Sequence, residues 1–148
     1  MFRIAICDDN KYDIKTISSA LDILREDGVE LETAAYTDGF SLIKAFEAGT
    51  RYHLLILDMV MDSINGIETA KRIREHDVSM PILIVTSTRE FALEGYLVNA
   101  WRYITKPLDT ERFLDEVRTI LNNVSERDET YFVIDSSKGL TKLRLDDI

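Results

Sequence analysis

Three aspartates that follow two short apolar segments are the residues of this chain whose types and spacing could carry chemistry. Asp8 and Asp9 come directly after segment 3–7, and Asp58 comes directly after segment 53–57. Two unit charges about 4 Å apart repel by roughly 4 kcal/mol at an effective dielectric constant near 20, so three carboxylates brought together require a cation. Oxygen ligands without added cysteine or histidine favour a hard ion. The pattern predicts Mg²⁺, with Mn²⁺ as the alternative.

A hydroxyl group and an ammonium group follow two later apolar segments. Thr86 lies in "IVTS" and Lys106 lies in "ITKP". A metal ion and a lysine can neutralise a phosphoryl group during its transfer while a hydroxyl donates a hydrogen bond to one of its oxygens. Asp58 is alone after its segment, so it is the natural nucleophile for such a transfer.

These side chains need a scaffold that brings the ends of several strands to one edge. Nearly continuous apolar segments are typical of parallel strands that are covered on both faces, and spacings of three and four apolar residues are typical of amphipathic helices. The alternation of the two predicts a doubly wound α/β fold in which ligands bind at the carboxyl ends of the strands. Strands are predicted at 3–7, 29–36, 53–57, 81–87 and 101–105, and helices at about 11–27, 39–48, 66–76, 89–97 and 110–124.

The chain changes character after Val124. Residues 125–130, "SERDET", are polar and are predicted to be a linker. Residues 131–148 contain two apolar stretches around a Ser-Ser-Lys-Gly sequence, which predicts two strands joined by a turn. Eighteen residues are too few to form a domain.

Composition narrows the class of protein. The 148 residues carry a net charge of −9 and a sequence pI of about 4.7, so the chain should repel a nucleic-acid backbone. It has no apolar run of the length that a membrane span requires, and no membrane partner is expected. Cys7 is the only cysteine and the N-terminal segment is unlike a secretory signal, which favours the reducing cytoplasm.

Four motifs together resemble a known family. "CDDN", "ILDMVMDSINGIE", "IVTS" and "YITKP" are similar, at matching intervals over about residues 2–123, to the receiver domain of two-component response regulators. The resemblance implies a flavodoxin-like (βα)5 fold with strand order 2-1-3-4-5. It also implies a signalling phosphoacceptor that catalyses only its own phosphorylation and dephosphorylation.

The resemblance implies a role for each matched residue. Asp58 resembles the phosphoacceptor, Asp9 a direct Mg²⁺ ligand and Asp8 a mostly water-mediated one, with the backbone carbonyl of Val60 completing the metal shell. Gly66 matches the glycine that follows the active-site loop.

The remaining matched residues are those that would contact and sense the phosphoryl group. Thr86 resembles the switch hydroxyl, Tyr103 the aromatic side chain that moves with it, and Lys106 the lysine that contacts phosphate.

A second resemblance concerns output. Residues 89–107 and 140–148 are similar to receivers attached to LytTR DNA-binding domains. This implies a receiver at 1–124, a linker at 125–130 and the start of a LytTR domain at 131–148, with the rest of that domain following Ile148. The implied partners are a sensor histidine kinase, a second copy of the chain on phosphorylation, and DNA through the missing domain, with transcription as the output.

Two alternatives and one departure accompany this interpretation. The chain could be a stand-alone or degenerate receiver that acts by protein contact. It could also be a Mg²⁺-dependent phosphohydrolase of the haloacid dehalogenase type, but that class requires an acid two residues after the nucleophile, where Val60 stands. Asp62 occupies the usual position of a proline in the receiver family, which adds a fourth negative charge near the site.

Overall fold

Strands and helices alternate along the whole described chain. The computed structural model describes residues 1–138, and side chains for residues 1–125. The alternation predicted from the apolar spacing is confirmed, with some shorter elements: α4 begins three residues later than expected and β3 begins after His53. The elements are β1 Phe2–Cys7, α1 Lys11–Glu26, β2 Leu31–Tyr36, α2 Gly39–Glu47, β3 Leu54–Leu57, α3 Gly66–Arg74, β4 Ile82–Thr86, α4 Ala92–Leu97, β5 Arg102–Thr105 and α5 Thr110–Lys138.

The five strands form one parallel sheet in the order β2-β1-β3-β4-β5. Parallel neighbours require a crossover connection, and a helix supplies each one. β2 lies on one side of β1 and β3 lies on the other, so β1 and β3 are neighbours within the sheet. The predicted flavodoxin-like fold and its strand order are therefore confirmed.

The sheet is buried on both faces. Successive side chains of a strand point to opposite faces. One set packs in a cluster with residues of α2 and α3, and the intervening residues are buried as well. The nearly continuous apolar composition of the strands follows from this double coverage. The first set includes Ala5, Cys7, Leu55, Leu57, Ile82 and Ile84, and the second includes Ile4, Ile6, Leu54, Ile56, Leu83 and Val85.

Helix α1 begins and ends as its sequence predicts. The Asn10 side chain accepts hydrogen bonds from the backbone N–H groups of Tyr12 and Asp13, which satisfies donors that have no partner within the helix. At the other end, Gly28 has a φ of +96° and donates to the carbonyl of Arg25. Glycine adopts this left-handed conformation without a steric penalty, and α1 stops there.

Helix α5 differs from the prediction. Its start is confirmed, because the Asp109 side chain accepts from the backbone N–H of Arg112. It then continues to Lys138, so residues 125–138 are helical, and the predicted strand at 131 is wrong for this stretch. No glycine or proline interrupts residues 110–138, and an existing helix adds one hydrogen bond per further residue. Residues 139–148 of the expected strand pair lie outside the described residues.

The described part of the chain divides into two compact units, of which the first is Met1–Leu114 and the second begins at Asp115. All five strands and helices α1 to α4 belong to the first unit. Among the described residues, none of the helices has both the length and the apolar character needed for a membrane span.

Candidate functional site

The two central strands bring three carboxylates together. Cys7, the last residue of β1, pairs with Leu57, the last residue of β3, so the residues that follow each strand leave the sheet side by side. Carboxylate oxygens of Asp8, Asp9 and Asp58 all lie within 4.8 Å of one another. We call these three residues the acidic cluster. The convergence expected from the two strand ends is present.

Backbone N–H groups orient each carboxylate of the acidic cluster. Asp8 Oδ1 accepts from the N–H of Asn10 at 2.9 Å, and Asp58 Oδ1 accepts from the N–H of Val60 at 3.2 Å. Asp9 Oδ2 accepts from the N–H of Asp62 at 3.1 Å. A proline at position 62 would have no N–H to donate, so the departure from the family pattern gives Asp9 a hydrogen-bond donor as well as a nearby charge.

Lys106 supplies the positive charge of the site. It follows β5, and its ammonium group lies 2.9 Å from Asp8 Oδ2 and 3.4 Å from Asp58 Oδ2. Its shortest contact, 2.7 Å, is with Asp13 Oδ2 on α1. The acidic cluster and Asp13 together carry four carboxylates, and Lys106 is the cation that contacts them. Within the described residues, this group of side chains therefore keeps an excess of three negative charges.

Burial and these contacts shift the pKa values of two groups. Burial raises the pKa of Asp8 above its ordinary value, although its hydrogen bonds to Asn10 and Lys106 act in the opposite direction. For Lys106, burial alone would lower the pKa, but the hydrogen bonds to Asp13 and Asp8 outweigh it and raise the pKa above that of an exposed lysine. Lys106 is therefore a permanent cation over the whole physiological pH range.

The donor set fits a hard divalent cation. All three members of the acidic cluster offer carboxylate oxygens, which Mg²⁺ and Mn²⁺ prefer. Asp8 and Asp58 are buried while Asp9 is exposed, so the cluster is open to solvent on the Asp9 side. An added cation would offset the excess negative charge.

The neighbouring strands end in groups of a different kind. Thr86 closes β4 and is fully buried, and its hydroxyl makes no hydrogen bond with any residue in the described part of the chain. Tyr103 lies within β5, and its hydroxyl donates to the backbone carbonyl of Thr88 at 2.6 Å. Tyr103 is half-buried, and burial raises its pKa. These residues border the site without taking part in its charge network.

Gly66 explains how the loop after Asp58 stays close to α3. A Cβ atom at this position would lie 2.3 Å from the carbonyl oxygen of Asp58 and 2.7 Å from Cα of Met59. The Gly66 N–H donates to the Met59 carbonyl at 2.9 Å. Only a residue without a side chain permits this approach, which gives a physical reason for the glycine in the motif.

The sequence prediction missed Asp13. Asp13 stands three residues after the capping Asn10, and an acid in the first turn of a helix is usually explained by the helix dipole. Its contact with Lys106 spans 93 residues of sequence, so no local pattern could have indicated it.

Comparison with known proteins decides the family. The family model described as "Response regulator receiver domain" matches residues 4–118. The chain belongs to the response regulator receiver domain family. Its homologues in this family are signalling proteins rather than classical enzymes.

Individual relatives agree with this assignment. The chain is 28% identical to the chemotaxis protein CheY of Treponema pallidum over 124 residues, which cover 81% of this chain and 83% of that protein. It is 38% identical to the response regulator ArlR of Staphylococcus aureus over 79 residues, which cover 52% of this chain and 36% of ArlR. The chain thus matches about a third of the length of ArlR.

A solved structure also resembles this receiver domain. The response regulator TrrA of Thermotoga maritima, in complex with Mg²⁺ and beryllofluoride, has a TM-score of 0.63 and is 29% identical. The match covers 81% of this chain and 99% of TrrA.

Proposed function

We propose that this receiver domain is a phosphorylation-dependent switch in which Asp58 accepts a phosphoryl group from a sensor histidine kinase. One observation carries the proposal. The Asp58 carboxylate is buried within the acidic cluster, where one of its oxygens accepts from the Val60 N–H and the other faces Lys106. A carboxylate held in this way cannot rotate freely, and it lies beside a cation that can receive the oxygens of an incoming phosphoryl group.

Mg²⁺ is the proposed cofactor, with Mn²⁺ as the alternative. Asp9, Asp58 and the backbone carbonyl of Val60 would bind it directly, and Asp8 would bind it mainly through water. When bound, the ion would supply positive charge for the carboxylates and for the phosphoryl oxygens. The acidic cluster supports this proposal, as does the Mg²⁺ and beryllofluoride complex of TrrA.

The transfer proposed for Asp58 is a single displacement at phosphorus. An Asp58 carboxylate oxygen forms a bond to phosphorus while the bond between phosphorus and the histidine nitrogen of the kinase breaks, and the electron pair of that bond returns to the imidazole. Lys106 and the Thr86 hydroxyl would each contact a phosphoryl oxygen. The domain would catalyse its own phosphorylation and dephosphorylation by positioning and electrostatics alone.

Thr86 and Tyr103 are the proposed switch residues. The buried Thr86 hydroxyl has no partner among the described residues, so it can gain a hydrogen bond when a phosphoryl oxygen arrives. Tyr103 holds the carbonyl of Thr88, two residues further along. A movement of Thr86 would therefore strain or break the Tyr103 hydrogen bond. Making and breaking this bond would be the two states of the loop that precedes α4, and phosphorylation would shift the equilibrium between them.

The proposed output is control of transcription in the cytoplasm. We propose a receiver at 1–124, a connecting segment at 125–130 and the start of a LytTR-type DNA-binding domain at 131–148, on the strength of the sequence resemblance. Phosphorylation would favour a homodimer, and DNA would be bound only through that C-terminal domain.

Intact-protein mass spectrometry tests the phosphoacceptor. The wild type and Asp58→Asn are incubated with Mg²⁺ and a small acyl phosphate donor, with Asp62→Asn as a control that also removes one nearby charge. We expect one phosphoryl adduct on the wild type and on Asp62→Asn, and none on Asp58→Asn. Equal labelling of Asp58→Asn would refute the assignment.

Absence of an adduct on all three proteins would favour the other candidate, a degenerate receiver that acts by protein contact. The hydrogen bond from the Asp62 N–H to Asp9 Oδ2 is the observation that favours this candidate, because it uses one of the acceptor positions of the Asp9 carboxylate and leaves fewer for a metal. A phosphohydrolase of the haloacid dehalogenase type is not supported, since Val60 provides no second acid.

A further inference from the structure

Asp13 makes the shortest contact of Lys106, yet it belongs to neither the acidic cluster nor the residues matched to the family motifs. Its carboxylate lies 2.7 Å from the ammonium group, against 2.9 Å for Asp8 and 3.4 Å for Asp58. The Lys106 side chain is only 15% exposed, and that of Asp13 is 36% exposed. This ion pair is therefore partly shielded from water.

The Asp13 side chain takes no part in capping α1. The third residue of a helix often bonds back to the N–H of the capping residue. Here the N–H of Asn10 is already satisfied by Asp8 Oδ1, and the carboxylate of Asp13 points to Lys106 instead. A carboxylate in the first turn also interacts favourably with the helix dipole, so α1 presents it to the site at little cost.

The donors of Lys106 are fully used. An ammonium group has three N–H donors, and three carboxylates surround this one. In this arrangement an incoming phosphoryl oxygen needs a donor that a carboxylate now occupies. A metal ion bound by the acidic cluster would draw Asp8 and Asp58 away from Lys106 and so free two donors. Asp13 lies outside that cluster and would still hold the ammonium group on the α1 side, away from the phosphoryl group.

We propose that Asp13 is a positioning residue that holds the Lys106 ammonium group on the α1 side of the acidic cluster and competes with an incoming phosphoryl group for it. This inference rests on the proposed function of Asp58. The competition lowers the affinity of the site for the phosphoryl group. Asp13 thereby limits how strongly the Lys106 ammonium group stabilises the phosphorylated state.

Beryllofluoride, a mimic of the phosphoryl group, tests the competition in a cycle of four proteins. Its affinity is measured by calorimetry in excess Mg²⁺ for the wild type, Asp13→Asn, Lys106→Met and the double variant. We expect Asp13→Asn to bind roughly two- to fivefold more tightly than the wild type, the range that partly exposed ion pairs contribute. The same substitution should have little effect in the Lys106→Met background.

The outcomes separate this inference from the proposed function. An equal gain in both backgrounds would show that Asp13 acts by its charge alone, and an unchanged or weaker affinity in Asp13→Asn would show no competition. Either result overturns the inference while leaving Asp58 as the acceptor. Failure of the wild type to bind beryllofluoride would refute the proposed function itself.

Unfolding by urea in EDTA provides a second readout that needs neither metal nor phosphoryl group. If the ion pair exists, Asp13→Asn should lower the urea midpoint of the wild type but not that of Lys106→Met. Equal shifts in the two backgrounds would overturn the positioning role, since they would assign Asp13 only to the stability of α1.

Discussion

The site has two halves that are built from opposite kinds of interaction. The acidic cluster and Lys106 form a charged half in which each carboxylate accepts at least one hydrogen bond. The half formed by Thr86 and Tyr103 is uncharged, and the buried Thr86 hydroxyl makes no hydrogen bond within the described residues. Polar groups are therefore satisfied in the first half and partly unsatisfied in the second.

The difference indicates a division of labour. A charged half whose carboxylates are already held by hydrogen bonds presents their oxygens to a metal with little reorganisation. A buried hydroxyl without a partner carries an energetic cost that a new hydrogen bond would remove. Binding is thus expected in the first half, and the response to binding in the second.

The largest effect is expected from removing the cation of the charged half. Lys106→Met leaves Asp8 and Asp58 buried without a positive neighbour, and such a loss costs about 3 kcal/mol when one partner of a buried pair is removed. Urea unfolding of the wild type and of Lys106→Met in EDTA measures this loss in the free energy of unfolding. Addition of Mg²⁺ should restore more stability to this variant than to the wild type, because the ion replaces the missing charge.

Lys71→Met is the matched control for this prediction. Lys71 forms an exposed pair with Glu68 at 3.6 Å, and its loss should change stability by less than about 0.5 kcal/mol. Equal losses for Lys71→Met and Lys106→Met would mean that the charged half is not held together by its lysine.

The backbone that supports the charged half should tolerate even a methyl group poorly. Gly66→Ala would place Cβ 2.3 Å from the carbonyl oxygen of Asp58, and the overpacking is expected to cost up to about 3 kcal/mol. Gly28→Ala serves as the control, since it meets no atom within 4 Å and costs only the left-handed conformation, about 1–2 kcal/mol. Thermal unfolding should rank the two losses in this order, and the reverse ranking would contradict the close approach.

The uncharged half should respond in the opposite direction. Thr86→Val replaces an unpaired buried hydroxyl with a methyl group of similar size, so we expect stability to rise by about 1 kcal/mol. Thr69 is equally buried, but its hydroxyl donates to the Asn65 carbonyl at 2.9 Å, so Thr69→Val should lose about 1 kcal/mol. Destabilisation of both variants in chemical unfolding would show that the Thr86 hydroxyl is satisfied after all.

The sequence predicts the order of the strands and helices and the acidic cluster better than it predicts the contacts of Lys106. Apolar segments indicate where the strands end, and parallel strands bring their carboxyl ends to one edge, so the approach of Asp58 to Asp8 and Asp9 follows from local patterns. The contact between Lys106 and Asp13 cannot be predicted from local patterns. A lysine side chain is long enough to reach several acids, and which of them it contacts depends on the folded structure.

The length of helix α5 and the unpaired hydroxyl of Thr86 are two further features that the sequence does not predict. The polar residues after Val124 suggest a linker, but polar residues also continue a helix when no glycine or proline interrupts it. An unsatisfied hydroxyl such as that of Thr86 has no sequence signature, since an ordinary threonine in a strand has the same neighbours.

The smallest expected effect concerns Tyr103, and it bears most directly on the response to binding. Tyr103→Phe removes only the hydrogen bond to the Thr88 carbonyl, so it should cost about 1 kcal/mol or less, and the exposed Tyr96→Phe should cost nothing measurable. Hydrogen exchange of residues 87–91 should increase in Tyr103→Phe, while exchange around the acidic cluster stays unchanged. If exchange rises equally in both regions, the two halves form one cooperative unit and the division of labour between them is wrong. An increase confined to the loop would mean that the uncharged half can change its conformation while the charged half keeps its geometry, which is what a switch that binds in one place and responds in another requires.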